Sequence, residues 1–401
     1  MKVLLADSLP EDAVARLTDS GDDVTVMPDL DADTLPDHIA DHEVLIVRST
    51  KVTADTLDRA GRLGLVIRAG AGTNTIDCGR AAELGIYVCN VPGKNALAVA
   101  ELTLGLLIAV DRHIASGTAD LRAGIWNKKA YGTSQGLFGR RLGIIGVGDI
   151  GIATAARAWA FGIDTVAEAK PERSHLSVAR AEGAGISFVA SLDELLSTSD
   201  FVSLHVPGGP ATTHLVNQEF LAQMKPGAVL INTSRGDVID EPALIDAMNT
   251  RGIRAGLDVF ADEPAGGSGT FVSALAQHPN VVATHHIGAS TEQAQDAITD
   301  GTIATVEAYR AGSPINCVNL EPLPRREATL TVRHHDRIGV LAGVLAILRT
   351  ASLNVSTMQN QVFAGSRAAV ATIGVANQPS PEVVDEIQSL PDVIYVSVTT
   401  P

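Results

Sequence analysis

The chain has 401 residues, 45% of them hydrophobic and 19% charged, which suits two or three globular domains with sizeable cores. A net charge of −16 with no basic block argues against nucleic acid or anionic membrane as partner. No apolar run approaches the ~18 residues of a membrane span, and Met1-Lys-Val-Leu-Leu-Ala-Asp starts like a strand, not a signal peptide. Cys78, Cys89 and Cys317 show neither metal-like nor paired spacing, so a cytoplasmic protein without a metal is expected.

Taken in order, Val3 to Ala6, Asp23 to Met27, Val44 to Val47, Leu65 to Ile67 and Ile86 to Val88 read as strands. Helical patterns at Pro10 to Leu17, Thr53 to Ala60 and Ile76 to Leu84 alternate with them, the signature of a parallel βαβ sheet. Ligands of such sheets sit at the carboxyl ends of strands, where Arg48-Ser49 and Gly70-Ala71-Gly72 stand. Asn95 to Asp111 reads as a long apolar helix, with Ile114 to Arg122 after it. Leu142 to Ile145 then runs into Gly146-x-Gly148-Asp149-Ile150-Gly151 and a helix over Ile152 to Phe161. Strand, glycine turn and helix in this order predict a dinucleotide site. The turn needs the first glycine, the pyrophosphate approaches the second, and helix packs on strand at the third. Further strands follow at Thr165 to Ala167, Phe201 to His205, Ala228 to Asn232, Ala255 to Asp258 and Val281 to Thr284. A helix over Thr291 to Tyr309 returns the chain to the first block. Past Ser313-Pro314 and a Pro-rich linker, Glu321-Pro-Leu-Pro324, the pattern becomes βαββαβ in ~75 residues, a small ferredoxin-like unit.

Arg235, Asp258, Glu263 and His286 follow strands of the second block, so all four converge on one crevice despite their distance in sequence. Oxidising an alcohol beside a carboxylate needs such a set. A neutral His takes the hydroxyl proton, a carboxylate orients it, and an Arg holds the substrate carboxylate, while a nicotinamide carries the hydride chemistry.

With these residues in view, the chain resembles the D-isomer-specific 2-hydroxyacid dehydrogenases over nearly its whole length, the phosphoglycerate dehydrogenases most closely. The motifs are Arg68 to Asp77, Val99-Ala-Glu101, Gly124 to Lys128, the glycine turn, Leu204-His-Val-Pro207, Asn232 to Gly236, Leu257 to Pro264 and His286 to Thr291. The resemblance implies oxidation of 3-phosphoglycerate, the first step towards serine. A keto-acid reductase for glyoxylate or hydroxypyruvate is the alternative. It implies catalysis by His286, paired with Glu263, and by Arg235; His285 is a minor competitor because His286 precedes Gly288-Ala-Ser-Thr in register.

By the same resemblance, cofactor contacts fall on Gly146, Gly148, Asp149, Ile150, Gly151, Glu168, His205, Val206, Pro207, Thr212, Thr233, Ser234, Asp258 and Gly288. Substrate contacts fall on Arg48, Ser49, Gly70, Ala71, Gly72 and Asn95, with Lys51, Arg68, Lys128 and Lys129 as further phosphate candidates. The family's ribose-binding Asp position holds Ala169. Glu168, one residue earlier, is expected to take its place with NAD, whereas Lys170 and Arg173 leave NADP open. The C-terminal unit resembles an ACT domain, an amino-acid-binding regulatory module, with His334, Asp336 and Asn354 at its ligand positions. That makes an effector such as serine, and a homotetramer or homodimer, the expected partners. The expected architecture is two Rossmann-like doubly wound domains plus this unit. Residues 1–94 with 288–320 bind substrate, 95–287 bind the dinucleotide, and 327–401 regulate.

Overall fold

A computed structural model describes residues 1–264, 268–321 and 327–400. The linker expected at Glu321 to Pro324 lies outside these residues from 322 onward. The chain divides into two compact units, Met1–Asn319 and Leu320–Pro401.

The first unit holds two parallel sheets. β1 (Lys2–Leu5), β2 (Asp23–Val26), β3 (Val44–Val47), β4 (Leu65–Arg68) and β5 (Tyr87–Asn90) form one, in the order β2-β1-β3-β4-β5. β3 is buried along its whole length and β4 for all but its last residue, as strands covered on both faces must be. Helix Glu292–Arg310 returns to this sheet, and its Ile298, Ile303 and Val306 join the core of Val3, Leu5, Ile67 and Cys89. The strand order reverses between β1 and β3, which opens a crevice at their carboxyl ends.

The second sheet comprises β6 (Arg141–Ile145), β7 (Asp164–Glu168), β8 (Ile186–Val189), β9 (Phe201–Leu204), β10 (Val229–Asn232), β11 (Arg254–Leu257) and β12 (Val281–Ala283). Its order is β12-β11-β10-β9-β6-β7-β8, all parallel, so the reversal falls between β6 and β9. Helix Ala96–Asp111 packs on this sheet and on helix Asp149–Ala160. That second helix starts at Asp149, three residues before the expected Ile152. Extended Gly148 ends the turn, and an acid in the first helical turn suits the positive end of the helix dipole. β8 was not expected. Its four residues, Ile-Ser-Phe-Val, are too short and mixed to stand out, and they form an edge strand.

The second unit contains β13 (Ala328–His335), β14 (Val355–Val362), β15 (Ala368–Val375) and β16 (Val393–Thr399), with helices Val340–Thr350 and Pro381–Gln388 between them. The order β14-β15-β13-β16 is antiparallel throughout, the arrangement of a ferredoxin-like unit. Among the described residues no helix is long and apolar enough to cross a membrane, and no cluster of His, Cys, Asp and Glu is suited to a metal ion.

Candidate active site

The glycine turn sits at the reversal of the second sheet. Gly146 has φ of 101°, and a Cβ there would stand 2.5 Å from the His205 carbonyl oxygen, so only glycine lets β6 turn against the end of β9. A Cβ at Gly151 would collide with the Gly146 carbonyl oxygen. At Gly148 the space is open, leaving the first amides of helix Asp149–Ala160 free to face an anion. These residues fit a dinucleotide pyrophosphate. Asp149 itself is paired with Arg180 at 2.7 Å, which offsets the acid's charge beside such an anion. His205 receives or gives a hydrogen bond at Nε2 with Ser203 Oγ, 2.9 Å away, and burial pushes it down to about 4, so the ring is neutral at pH 7. Thr212 Oγ1 donates to the Pro207 carbonyl at 2.6 Å, closing the loop after Val206. Thr233 is buried against Thr103, 2.9 Å away. Glu168 ends β7 with its carboxylate 3.9 Å from Lys170 Nζ, and Arg173 donates to the Glu168 carbonyl at 2.9 Å, while Ala169 is exposed.

Beyond β12, His286 Nδ1 lies 2.6 Å from Glu263 Oε2. Glu263 Oε1 accepts from the Phe260 amide at 2.8 Å, so both carboxylate oxygens are engaged. Burial pushes the Glu263 carboxyl up. The hydrogen bonds from His286 and Phe260 and the charge of Arg235 outweigh it and hold the group below the usual glutamate range. The His286 backbone is left-handed at φ 52°, an unusual conformation for a residue with a side chain. Asp258 over-determines it. Its carbonyl accepts from the His286 amide at 2.8 Å, and its buried carboxylate accepts from Thr284 Oγ1 (2.5 Å), Ile287 N (2.9 Å) and Gly288 N (2.8 Å). Asp258 thus holds the histidine loop in place. His285 is exposed and neighbours this pair without joining it.

Arg235 follows β10 on a loop shaped by Asn232, whose side chain accepts from Ser234 N and Oγ (2.9 and 2.7 Å) and donates to the Arg235 carbonyl (2.8 Å). Two glycines clear its path. A Cβ at Gly208 would meet Arg235 Cγ at 2.9 Å, and one at Gly72 would meet Arg235 Nη2 at 2.5 Å. The guanidinium therefore crosses from the second sheet to the backbone of the first, where Asn90 Nδ2 holds the Ala71 carbonyl at 2.6 Å. Arg68 lies against Gly70. Burial, and then the charges of Arg235 and Arg48, push Arg68 down to about 10, with Asp7 opposing.

Asp7 belongs to the crevice between β1 and β3. It accepts from Arg48 N (2.7 Å), Ser49 N (3.1 Å), Ser49 Oγ (2.7 Å) and Thr50 N (3.0 Å). Burial pushes its carboxyl up, but these donors hold it below the usual range. The Ser49 hydroxyl is thus committed to Asp7. Asn95 precedes helix Ala96–Asp111 without capping it through its side chain. Lys51 is exposed, and Lys128 and Lys129 lie in the exposed short helix Lys128–Tyr131. Sequence reading missed Asp7, Asn232, Thr284 and Gly208. For Asp7 a signal existed: it follows β1 as Arg48 follows β3, at the two strand ends flanking the switch point.

In the C-terminal unit, His334 is buried, with Nδ1 2.8 Å from the His335 carbonyl and Nε2 3.2 Å from Asn360 Oδ1. Asp336 and Asn354 are exposed. His334 pairs with Ala369, whereas Asn354 accepts from Ala376 seven residues along, about 23 Å at strand rise. One copy of the unit therefore keeps Asn354 apart from His334 and Asp336.

A glycine turn at the switch point of one sheet, facing a cationic crevice of another, defines a nucleotide-dependent dehydrogenase. Residues 104–288 match the D-isomer specific 2-hydroxyacid dehydrogenase NAD binding domain. The chain is 42% identical over 298 residues to a hydroxypyruvate reductase of Thermotoga maritima, covering 73% of this chain and 93% of that protein. It is 39% identical over 332 residues to a D-3-phosphoglycerate dehydrogenase of Methanocaldococcus jannaschii, covering 82% of this chain and 61% of that one, so it spans under two thirds of that relative's length. The crystal structure of the TT0316 protein from Thermus thermophilus superposes with a TM-score of 0.69 at 34% identity, covering 79% of this chain and all of that one. The chain belongs to the D-isomer specific 2-hydroxyacid dehydrogenase family.

Proposed function

We propose that the chain oxidises D-3-phosphoglycerate to 3-phosphohydroxypyruvate with NAD, the first step of L-serine biosynthesis. One observation carries the choice of substrate: Arg68 lies against Gly70 and Arg235 against Gly72, and burial together with the charges of Arg235 and Arg48 pushes Arg68 down to about 10, so positive charge gathers where an anion with two charged ends would bind. Arg235 and the Gly70–Gly72 backbone take the carboxylate, and Arg48 and Arg68 the phosphate. This local charge outweighs the distant acids of a −16 chain, which salt screens beyond ~8 Å.

NAD, when bound, supplies the hydride acceptor. His286 Nδ1–H donates to Glu263, which leaves Nε2 as the lone-pair atom that takes the hydroxyl proton. Arg235 polarises the oxygen beside it. Glu168 is the acid available to the adenosine ribose, and its negative charge disfavours a 2′-phosphate there. We further take residues 1–94 with 288–320 as the substrate domain, 95–287 as the cofactor domain and 327–401 as an ACT domain. Its His334, Asp336 and Asn354 form a serine-type effector site only where two copies meet, as in a homodimer or homotetramer, and the enzyme works in the cytoplasm.

Reduction of hydroxypyruvate or glyoxylate is the second reading, favoured by the Thermotoga relative, of which the chain covers 93%. Substitution of His286 by Ala tests the shared mechanism: turnover should vanish while NAD still binds, and unchanged turnover would sink it.

A further inference from the structure

Cys89 and Cys317, 228 positions apart, place their sulfurs 3.0 Å from each other. Cys89 is the third residue of β5 and fully buried; Cys317 belongs to the segment that leaves helix Glu292–Arg310 and is half-buried. The two face each other in an isolated antiparallel bridge. The flanking bonds run from Asn90 N to the Asn316 carbonyl (3.2 Å) and from Val318 N to the Val88 carbonyl (2.8 Å). Cys89 and Cys317 are therefore the non-hydrogen-bonded pair between them. Such pairs hold Cα atoms about 4.5 Å apart, inside the span a disulfide tolerates, so closure requires side-chain rotation and no backbone movement.

We propose that Cys89 and Cys317 are a redox modification site, closing to a reversible disulfide on exposure to a small-molecule disulfide. Cys317, the accessible thiol, gives up its proton and attacks the oxidant, forming a mixed disulfide and releasing one thiol. Cys89 then gives up its proton and attacks Cys317 Sγ, releasing the second thiol. Two protein thiols are oxidised and one small disulfide is reduced, with both protons carried off on the released thiols. Burial pushes the Cys89 thiol up, so the accessible Cys317 reacts first, and Cys89 resolves because its sulfur already stands 3.0 Å from Cys317 Sγ. Closure ties residues 316–319 to β5, whose Asn90 holds the Ala71 carbonyl of the proposed substrate loop. Cys78, also free, has no place in the pair.

The folded full-length chain is treated with oxidised glutathione, alkylated and mapped by mass spectrometry. The wild type should lose two alkylatable thiols together, yield a Cys89–Cys317 cross-linked peptide lighter by two hydrogens, keep Cys78 alkylated, and revert with dithiothreitol. Cys317→Ser, at the half-buried position, should fold normally and leave Cys89 reduced, and Cys89→Ser should stop at a glutathione adduct on Cys317. A wild type that retains glutathione on Cys317, cross-links through Cys78, or keeps both thiols while its urea-unfolded form reacts would overturn the proposal.

Discussion

His286 Nδ1 and Glu263 Oε2 lie 2.6 Å apart, joining the two loops that leave the carboxyl edge of the second sheet. The bond fixes the ring's orientation and its tautomer. Glu263→Gln keeps an acceptor and removes the charge that stabilises a protonated ring. A general base contributes about 10²–10⁴-fold, and this change should cost at least tenfold of it in kcat with little change in KM. Steady-state kinetics at saturating cofactor read the split.

Acid should weaken the fold through two carboxylates. Glu263 and Asp7 are both held below their ordinary values, 4.5 and 3.8. Each contributes stability that is fully present above those ordinary values and is lost as pH falls through the lower folded-state value. Melting temperature should therefore be flat from pH 7 to about 5 and fall below it. In Glu263→Gln the fall should be shallower, as thermal scans across this range would show.

Gly72→Ala should act on Arg235 without disturbing the sheet. The new Cβ would meet Arg235 Nη2 at 2.5 Å, the far end of a flexible side chain that moves away at little cost to stability. Moving it by a fraction of an ångström should raise the KM for a carboxylate substrate about tenfold or more, since misplacement by about 1 Å can cost 10²-fold. Unchanged KM with unchanged melting temperature would separate Arg235 from substrate binding.

Asp7→Asn should destabilise the chain by about 1 kcal/mol, the usual scale of weakening part-buried and exposed hydrogen bonds by removing the acceptor's charge. Four donors from residues 48–50 lose that charge, and Arg68 loses the acid that offsets its arginine neighbours. Urea unfolding measures the difference.

Glu168→Ala should weaken NAD about 10–100-fold, the range of a hydrogen bond to a charged group, and leave NADP binding unchanged or improved. Fluorescence titration with both nucleotides compares them. Equal loss for the two would remove Glu168 from ribose recognition.

Much of this was legible in the residues. Apolar runs ending in Arg48, Gly70, Gly146 and His286 located the strand ends, because buried parallel strands are continuous in hydrophobicity and functional residues follow them directly. What could not be read were relations across the fold. Asp7 meets Arg48 only because β1 and β3 are neighbours across a switch point. Arg68 is depressed in part because Arg235 arrives from another sheet. The cysteines showed no paired spacing, yet β5 brings Cys89 to Cys317, since spacing along the chain carries no information about a contact 228 residues apart. Asp258 reads from the sequence as a cofactor contact, and the bonds by which its carboxylate holds the histidine loop could not be read there.

The most direct test is the initial rate of cofactor reduction with D-3-phosphoglycerate, run with NAD and with NADP, and with D-glycerate as the unphosphorylated control. A rate with the phosphorylated substrate and NAD, and little with D-glycerate, is the expected result. No rate with 3-phosphoglycerate in either direction, alongside ready reduction of hydroxypyruvate or glyoxylate, would contradict it and make the chain a keto-acid reductase.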